Sequence, residues 1–138
     1  VREEFKALPV EPLTITYHDP CHLKWHQGIS SEPRRLLRSI PGVEYIEMEG
    51  ADECCGLGGA FSIDHREVSL AIQDRKIKSI AKTGAMVVAT SCPGCIIQLM
   101  DGVRRHGLKV EVMHISQLIR GRKEQPRKRR LAEDGEEQ

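Results

Sequence analysis

The cysteines are the residues whose type and spacing could do chemistry in this sequence. The chain has 138 residues, and its five cysteines form one single, one adjacent pair and one pair separated by two residues: Cys21, Cys54, Cys55, Cys92 and Cys95. Disulfide-rich small domains carry roughly 8–10% cysteine, well above five in 138. Clustered thiols in a reducing compartment instead indicate metal or redox chemistry.

Glycines and histidines lie next to these thiols. Gly56, Gly58 and Gly59 follow the adjacent cysteines, where they would let the backbone approach a cofactor and donate N–H groups toward sulfur. A plain flexible turn is the alternative. His18 and His22 flank the first cysteine. They are either ordinary loop histidines or residues that support the site by hydrogen bonding around the thiols. No residue is assigned a catalytic role.

The apolar pattern predicts alternating strands and helices. Strands are predicted at residues 13–17, 43–48, 86–90 and 110–115. Helices are predicted at residues 31–40, 64–82, 93–106 and 116–119. Asp64 and Glu67 resemble a capping box, and Cys92 followed by Pro93 resembles an N-cap and first helical position.

Helical spacing also predicts the apolar faces of the two longest helices. The face of the first consists of Leu70, Ile77 and Ala81, extended by Val68 and Ile72. The face of the second consists of Ile96, Ile97, Met100 and Val103.

The order of elements predicts an α/β fold. Alternating strands and helices favour a four-stranded, mostly parallel, Rossmann-like sheet with helices on its faces. The carboxyl ends of parallel strands share one rim, and ligands bind there. Cys21 follows the first strand, Cys54 and Cys55 follow the second, and Cys92 and Cys95 follow the third. The topology therefore predicts that all five sulfurs lie on that rim.

Composition excludes some functions and suggests the domain limits. A net charge of +1 with 4% aromatic residues disfavours sequence-general nucleic-acid binding. The longest apolar run, residues 85–89, is far shorter than a membrane span. Residues 1–12 are predicted as a lead-in or linker and residues 13–119 as the domain. Residues 120–138, where the apolar pattern ends, are predicted as a disordered charged tail.

Four interpretations of the cysteines stay open. They could hold a redox-active metal cofactor. They could hold a structural zinc ion, which takes four ligands and would leave one of five thiols idle. Cys92 and Cys95 alone could exchange disulfides, although this leaves the other three cysteines unexplained. Buried core cysteines without chemistry are the remaining alternative.

The pattern resembles the cysteine-rich CCG domain, whose signature is a lone Cys, a distant Cys-Cys-Gly and a distant C-x-x-C. The matching strings are His18-Asp19-Pro20-Cys21-His22, Cys54-Cys55-Gly56-Leu57-Gly58-Gly59 and Ser91-Cys92-Pro93-Gly94-Cys95. The resemblance covers residues 13–119. The family includes a subunit of heterodisulfide reductase and the iron–sulfur subunits of glycolate and lactate oxidation systems, where two such domains commonly occur in tandem. This chain resembles the carboxyl-terminal copy.

The resemblance implies an iron–sulfur electron-transfer domain of an oxidoreductase complex. The five cysteines would bind a 4Fe-4S cluster of unusual, non-cubane type, or zinc as in some members. The implied reaction is oxidation of a 2-hydroxy acid such as glycolate or lactate, or reduction of a disulfide as in heterodisulfide reductase. Implied partners are a flavoprotein dehydrogenase subunit, a ferredoxin-like domain or subunit, and a second CCG domain. The implied location is cytoplasmic, at the inner face of the membrane where a complex holds it. A zinc-binding assembly domain and thiol–disulfide exchange at Cys92 and Cys95 stay as alternatives.

Overall fold

The computed structural model describes residues 12–119. The predicted tail at 120–138, and all but the last residue of the predicted lead-in at 1–12, lie outside this range. The predicted domain limits therefore stay a prediction.

A four-stranded sheet forms the centre of the fold. The strands are β1 (Leu13–Tyr17), β2 (Val43–Tyr45), β3 (Val87–Thr90) and β4 (Glu111–His114). They lie in the order β2-β1-β3-β4, and every neighbouring pair is parallel. This confirms the predicted α/β fold with a parallel sheet.

Helices connect and cover the strands. The α-helices are α1 (Ser31–Ser39), α2 (Phe61–Asp64), α3 (Arg66–Thr83), α4 (Pro93–Arg105) and α5 (Ile115–Ile119). A short π-helix spans His22–His26, where the sequence predicted a loop. The predicted capping box is wrong, because His65 is the N-cap of α3 and no side chain caps it. His65 also separates α2 from α3 within the single helix that was predicted.

Two hydrophobic clusters lie on opposite faces of the sheet. One contains Ile77, Ile80 and Leu99 from α3 and α4, together with Cys55 and Cys95. The other contains Leu37 of α1 and Ile115 of α5, and it includes Ile15 and Tyr17 of β1. Strand β3 is buried along its whole length, as its apolar sequence predicts. The result is three layers, with helices on both faces of the sheet.

The predicted apolar face of α3 is largely wrong. Val68 and Ala81 are exposed, and the buried residues of α3 are Ser69, Gln73, Lys76, Ile77 and Ile80. Gln73 donates to the carbonyl oxygen of Gln98 at 2.8 Å, so this buried amide has a partner. Polar side chains are buried here because the adjoining loop and helix accept their hydrogen bonds.

The buried stripe of α4 is displaced from the predicted one. Ile97 and Met100 are exposed, at 68% and 54% of their surface, and the buried residues are Cys95, Gln98, Leu99 and Gly102. A Cβ atom on Gly102 would lie 2.7 Å from the side chain of Ile77. The close approach of α3 to α4 therefore needs glycine on this face. None of the described helices is both long enough and apolar enough to span a bilayer.

Candidate metal centre

Strand β1 delivers His18 to the face that α3 and α4 cover. Successive side chains of a strand point to opposite faces, and Ile15 and Tyr17 pack in the cluster with α1 and α5. His18 follows Tyr17 directly, so its side chain lies on the opposite face of the sheet. Its backbone N–H donates to the carbonyl of Ala89 at 2.9 Å, and its carbonyl accepts a bond from the Thr90 hydroxyl at 3.0 Å. Both bonds fix His18 against β3.

Three buried ligand atoms converge beyond the ends of β1 and β3. One ring nitrogen of His18 and the Sγ atoms of Cys55 and Cys95 lie within 4.8 Å of one another. The two sulfurs are 3.6 Å apart. Nδ1 of His18 is buried and has no hydrogen-bond partner among the described residues. A buried imidazole nitrogen within 4.8 Å of two thiol sulfurs is a donor set that suits a soft metal ion.

The other three predicted cysteines lie farther toward solvent. Cys21 and Cys54 are exposed, and Cys92 is half-buried. Cys92 is the N-cap of α4 and Pro93 is its first residue, as the sequence predicted. Cys21 stands at the start of the π-helix, a type of turn that occurs often at functional sites. His22, the second predicted supporting histidine, is exposed on that helix.

The loop after the adjacent cysteines depends on Gly56. Its φ is 96°, and a Cβ atom there would lie 2.5 Å from the backbone carbonyl oxygen of Ser69. Its N–H donates to Sγ of Cys54 at 3.3 Å, the kind of bond the glycines were predicted to supply. Gly58 and Gly59 also have positive φ and lead into α2. The glycines thus turn the backbone tightly around the thiols.

Burial and mutual contact favour the protonated form of the Cys54 and Cys55 thiols. Contact with Cys55, together with burial, raises the pKa of the Cys54 thiol above its ordinary range. The Cys54 thiol lowers the pKa of Cys55, but contact with Cys95 and burial outweigh this and raise it to about 11. Burial, assisted by the charge of Lys76, lowers the pKa of His18 to about 3. His18 is therefore neutral, and metal binding at Cys54 or Cys55 would have to displace a proton.

An ion pair fixes the segment between His18 and Cys21. The Asp19 carboxylate is almost fully buried and accepts two bonds from Arg34, at 2.8 and 2.7 Å. Arg34 also donates twice to Glu47, at 2.8 Å each. This ion pair was not predicted from the sequence.

Comparison with known proteins finds a match over the region that contains the candidate site. The sequence profile of the CCG family, a cysteine-rich domain, matches residues 15–100. The probable glycolate oxidase iron-sulfur subunit of Bacillus subtilis is 43% identical over 110 residues, which cover 78% of this chain and 25% of that protein.

Two further relatives share the region. A dihydromethanophenazine:CoB–CoM heterodisulfide reductase subunit of Methanosarcina acetivorans is 40% identical over 102 residues, or 72% of this chain and 24% of that protein. Lactate utilization protein A of Lysinibacillus sphaericus is 34% identical over 104 residues, or 75% of this chain and 46% of that protein. The alignments thus span between a quarter and a half of these relatives.

Proposed function

The chain belongs to the cysteine-rich CCG domain family, and from this membership we propose that it holds an iron–sulfur cluster for electron transfer in an oxidoreductase. The observation that carries the proposal is the contact of two unbridged thiols, Cys55 and Cys95, with one ring nitrogen of His18 within 4.8 Å of both sulfurs. Two of the relatives support it, because one is an iron–sulfur subunit and the other belongs to a heterodisulfide reductase.

The residues that would hold the cluster are the five cysteines. Cys55 and Cys95 form the buried part of the site, and the more accessible ligands would be Cys21, Cys54 and Cys92. A cluster of this kind supplies one-electron chemistry, and we propose a 4Fe-4S cluster of non-cubane type. Gly56 would donate its N–H to a ligand sulfur, which is a known control on reduction potential. His18 would line the buried wall of the site.

The larger protein and its partners are part of the proposal. Because the chain matches only part of each relative, it would act as one domain, spanning residues 13–119, beside a ferredoxin-like domain and a second CCG domain. A flavoprotein dehydrogenase subunit would donate the electrons after oxidising a 2-hydroxy acid such as glycolate or lactate. Reduction of a disulfide substrate is the other reaction that the relatives suggest. We place the complex in the cytoplasm, held at the inner membrane face by its partners.

The test is the metal content of the chain purified without oxygen and of its single Cys→Ser variants. We expect a brown protein with several irons and acid-labile sulfide per chain. Each of the five substitutions should lose iron or change the electron paramagnetic resonance spectrum, because a serine hydroxyl replaces a thiolate poorly. Ser91→Ala, next to Cys92, is the matched control and should keep the iron content and the electron paramagnetic resonance spectrum of the wild type. Colourless protein without sulfide, even after cluster reconstitution, would refute the proposal.

A zinc site is the second candidate, and the ligand set of His18, Cys55 and Cys95 favours it. Mixed nitrogen and sulfur ligands are typical of structural zinc, which needs four. In that case His18→Ala should lose the metal. At least one of the two variants Cys21→Ser and Cys54→Ser, which change exposed cysteines, should keep the zinc. Purified protein with about one zinc per chain and no acid-labile sulfide would support the zinc site. Thiol–disulfide exchange at Cys92 and Cys95 stays a prediction from sequence alone.

A further inference from the structure

Lys76 is a buried cation without an anionic partner in the described part of the chain. It lies on α3 and is 3% exposed. Its Nζ donates to the backbone carbonyls of Gly50 at 2.6 Å and Ala51 at 3.4 Å. Within residues 12–119 it forms no ion pair with a carboxylate. Burial of an ammonium is costly unless a negative charge compensates it.

The carboxylates that face Lys76 are each paired with another base. The pairs are Asp19 with Arg34 at 2.7 Å, Asp52 with Lys24 at 2.7 Å, and Glu53 with Arg75 at 2.9 Å. Arg34 also pairs with Glu47, and none of these carboxylates forms an ion pair with Lys76 within residues 12–119. Burial lowers the pKa of Lys76, and apart from these carboxylates the group that counteracts this is Cys55 in its thiolate form.

The charge of Lys76 also reaches the other groups of the site. It lowers the pKa of His18 and acts in the same direction on Cys54. A buried charge acts strongly on its neighbours because little water screens it. The carbonyl oxygen of Ala51, which accepts a bond from Lys76 at 3.4 Å, belongs to a residue of the buried cluster that contains Cys55 and Cys95, so the ammonium group adjoins the cluster that holds these thiols.

We propose that Lys76 is a built-in counter-ion of the cysteine site, which offsets the negative charge of the bound thiolate cofactor and raises its reduction potential. This inference rests on the proposed function. An added electron makes an anionic cluster more negative, and a nearby buried cation stabilises the reduced form more than the oxidised form. The role is electrostatic, since Lys76 would not ligate the cofactor.

The variants must separate the charge of Lys76 from its hydrogen bonds. Lys76→Gln removes the charge and keeps a donor for the Gly50 carbonyl. Lys76→Met is a second neutral variant of similar length, and it leaves no carboxylate unpaired because Lys76 forms no ion pair within residues 12–119. Lys76→Arg keeps the charge. Lys78→Gln is the matched control, because Lys78 is exposed on the same helix.

The measurement is the midpoint potential of the anaerobically purified chain, followed by electron paramagnetic resonance at matched iron and sulfide content. We expect both neutral variants to shift to more negative potential, while Lys76→Arg stays near wild type and Lys78→Gln does not move. Wild-type potential in the neutral variants would overturn the inference. So would an equal shift in Lys76→Arg, or folding that fails in both neutral variants but not in Lys76→Arg, because each indicates a purely structural role. A wild-type chain that binds no cluster would refute the proposed function itself.

Discussion

Replacing Arg34 by methionine should strongly destabilise the fold, because it leaves a buried carboxylate without its partner. The side chain of Asp19 is 1% exposed and takes both of its strong hydrogen bonds from Arg34. Removing one member of such a buried pair costs about 3–5 kcal/mol. Arg34 has a second partner, Glu47, which is half exposed, so the loss of that pair should add no more than about 1 kcal/mol to the cost. The expected loss is thus about 3–5 kcal/mol, a large part of the stability of a domain.

The neighbouring residue supplies the control for this prediction. Arg35 is 73% exposed and lies 3.9 Å from Glu32, so Arg35→Met should cost less than about 1 kcal/mol. Urea unfolding, monitored by circular dichroism, gives the change in unfolding free energy for each variant, provided that the dependence of the free energy on urea concentration is unchanged. Replacing Asp19 by asparagine in the Arg34→Met background should recover part of the loss, because no bare charge is then buried. Equal, small costs for Arg34→Met and Arg35→Met would refute the assigned role of the pair.

Two other changes test the surroundings of the site. Gly56→Ala should destabilise the chain by more than Gly59→Ala, because both have positive φ but only at Gly56 would a Cβ collide with backbone, 2.5 Å from a carbonyl oxygen; equal unfolding free energies would contradict this. Hydrogen bonds from Arg34 lower the pKa of Glu47 below its ordinary 4.5, so the pair stabilises the fold above that pH and the contribution is lost as the pH falls through the lowered value. Glu47→Gln should therefore flatten the acid side of the stability profile, and a wild-type profile in this variant would argue against the pair.

The order of strands and helices could be predicted because local sequence determines it. The apolar run of β3 fits a strand buried on both faces, and all its residues are buried. Gly84 ends α3 with a φ of 65°, which favours glycine, and Pro93 begins α4 after Cys92. These signals act within a few residues, so they can be recognised without the rest of the fold.

The buried polar residues could not be predicted because their partners are distant in sequence. Gln73 is satisfied by Gln98, and Lys76 by carbonyls at Gly50 and Ala51. Apolar periodicity assigns such residues to solvent. A signal did exist for His18, because strand alternation places it opposite Tyr17, on the face of the cysteines. The π-helix has no comparable pattern in the sequence.

The distances in sequence between the site residues also set when the site can form during synthesis. Cys55 meets Cys95 only after α4 exists, and β1 is fixed at the centre of the sheet only when Val87 pairs with Ile15. A nascent chain that ends before β3 lacks two of the five thiols and the strand that holds His18. Closing so long a loop is an entropic cost that must be met before the thiols come together. Under the proposed function, insertion of the cluster would therefore be a late event, and a chain that ends early would carry thiols without the complete site that holds the cluster.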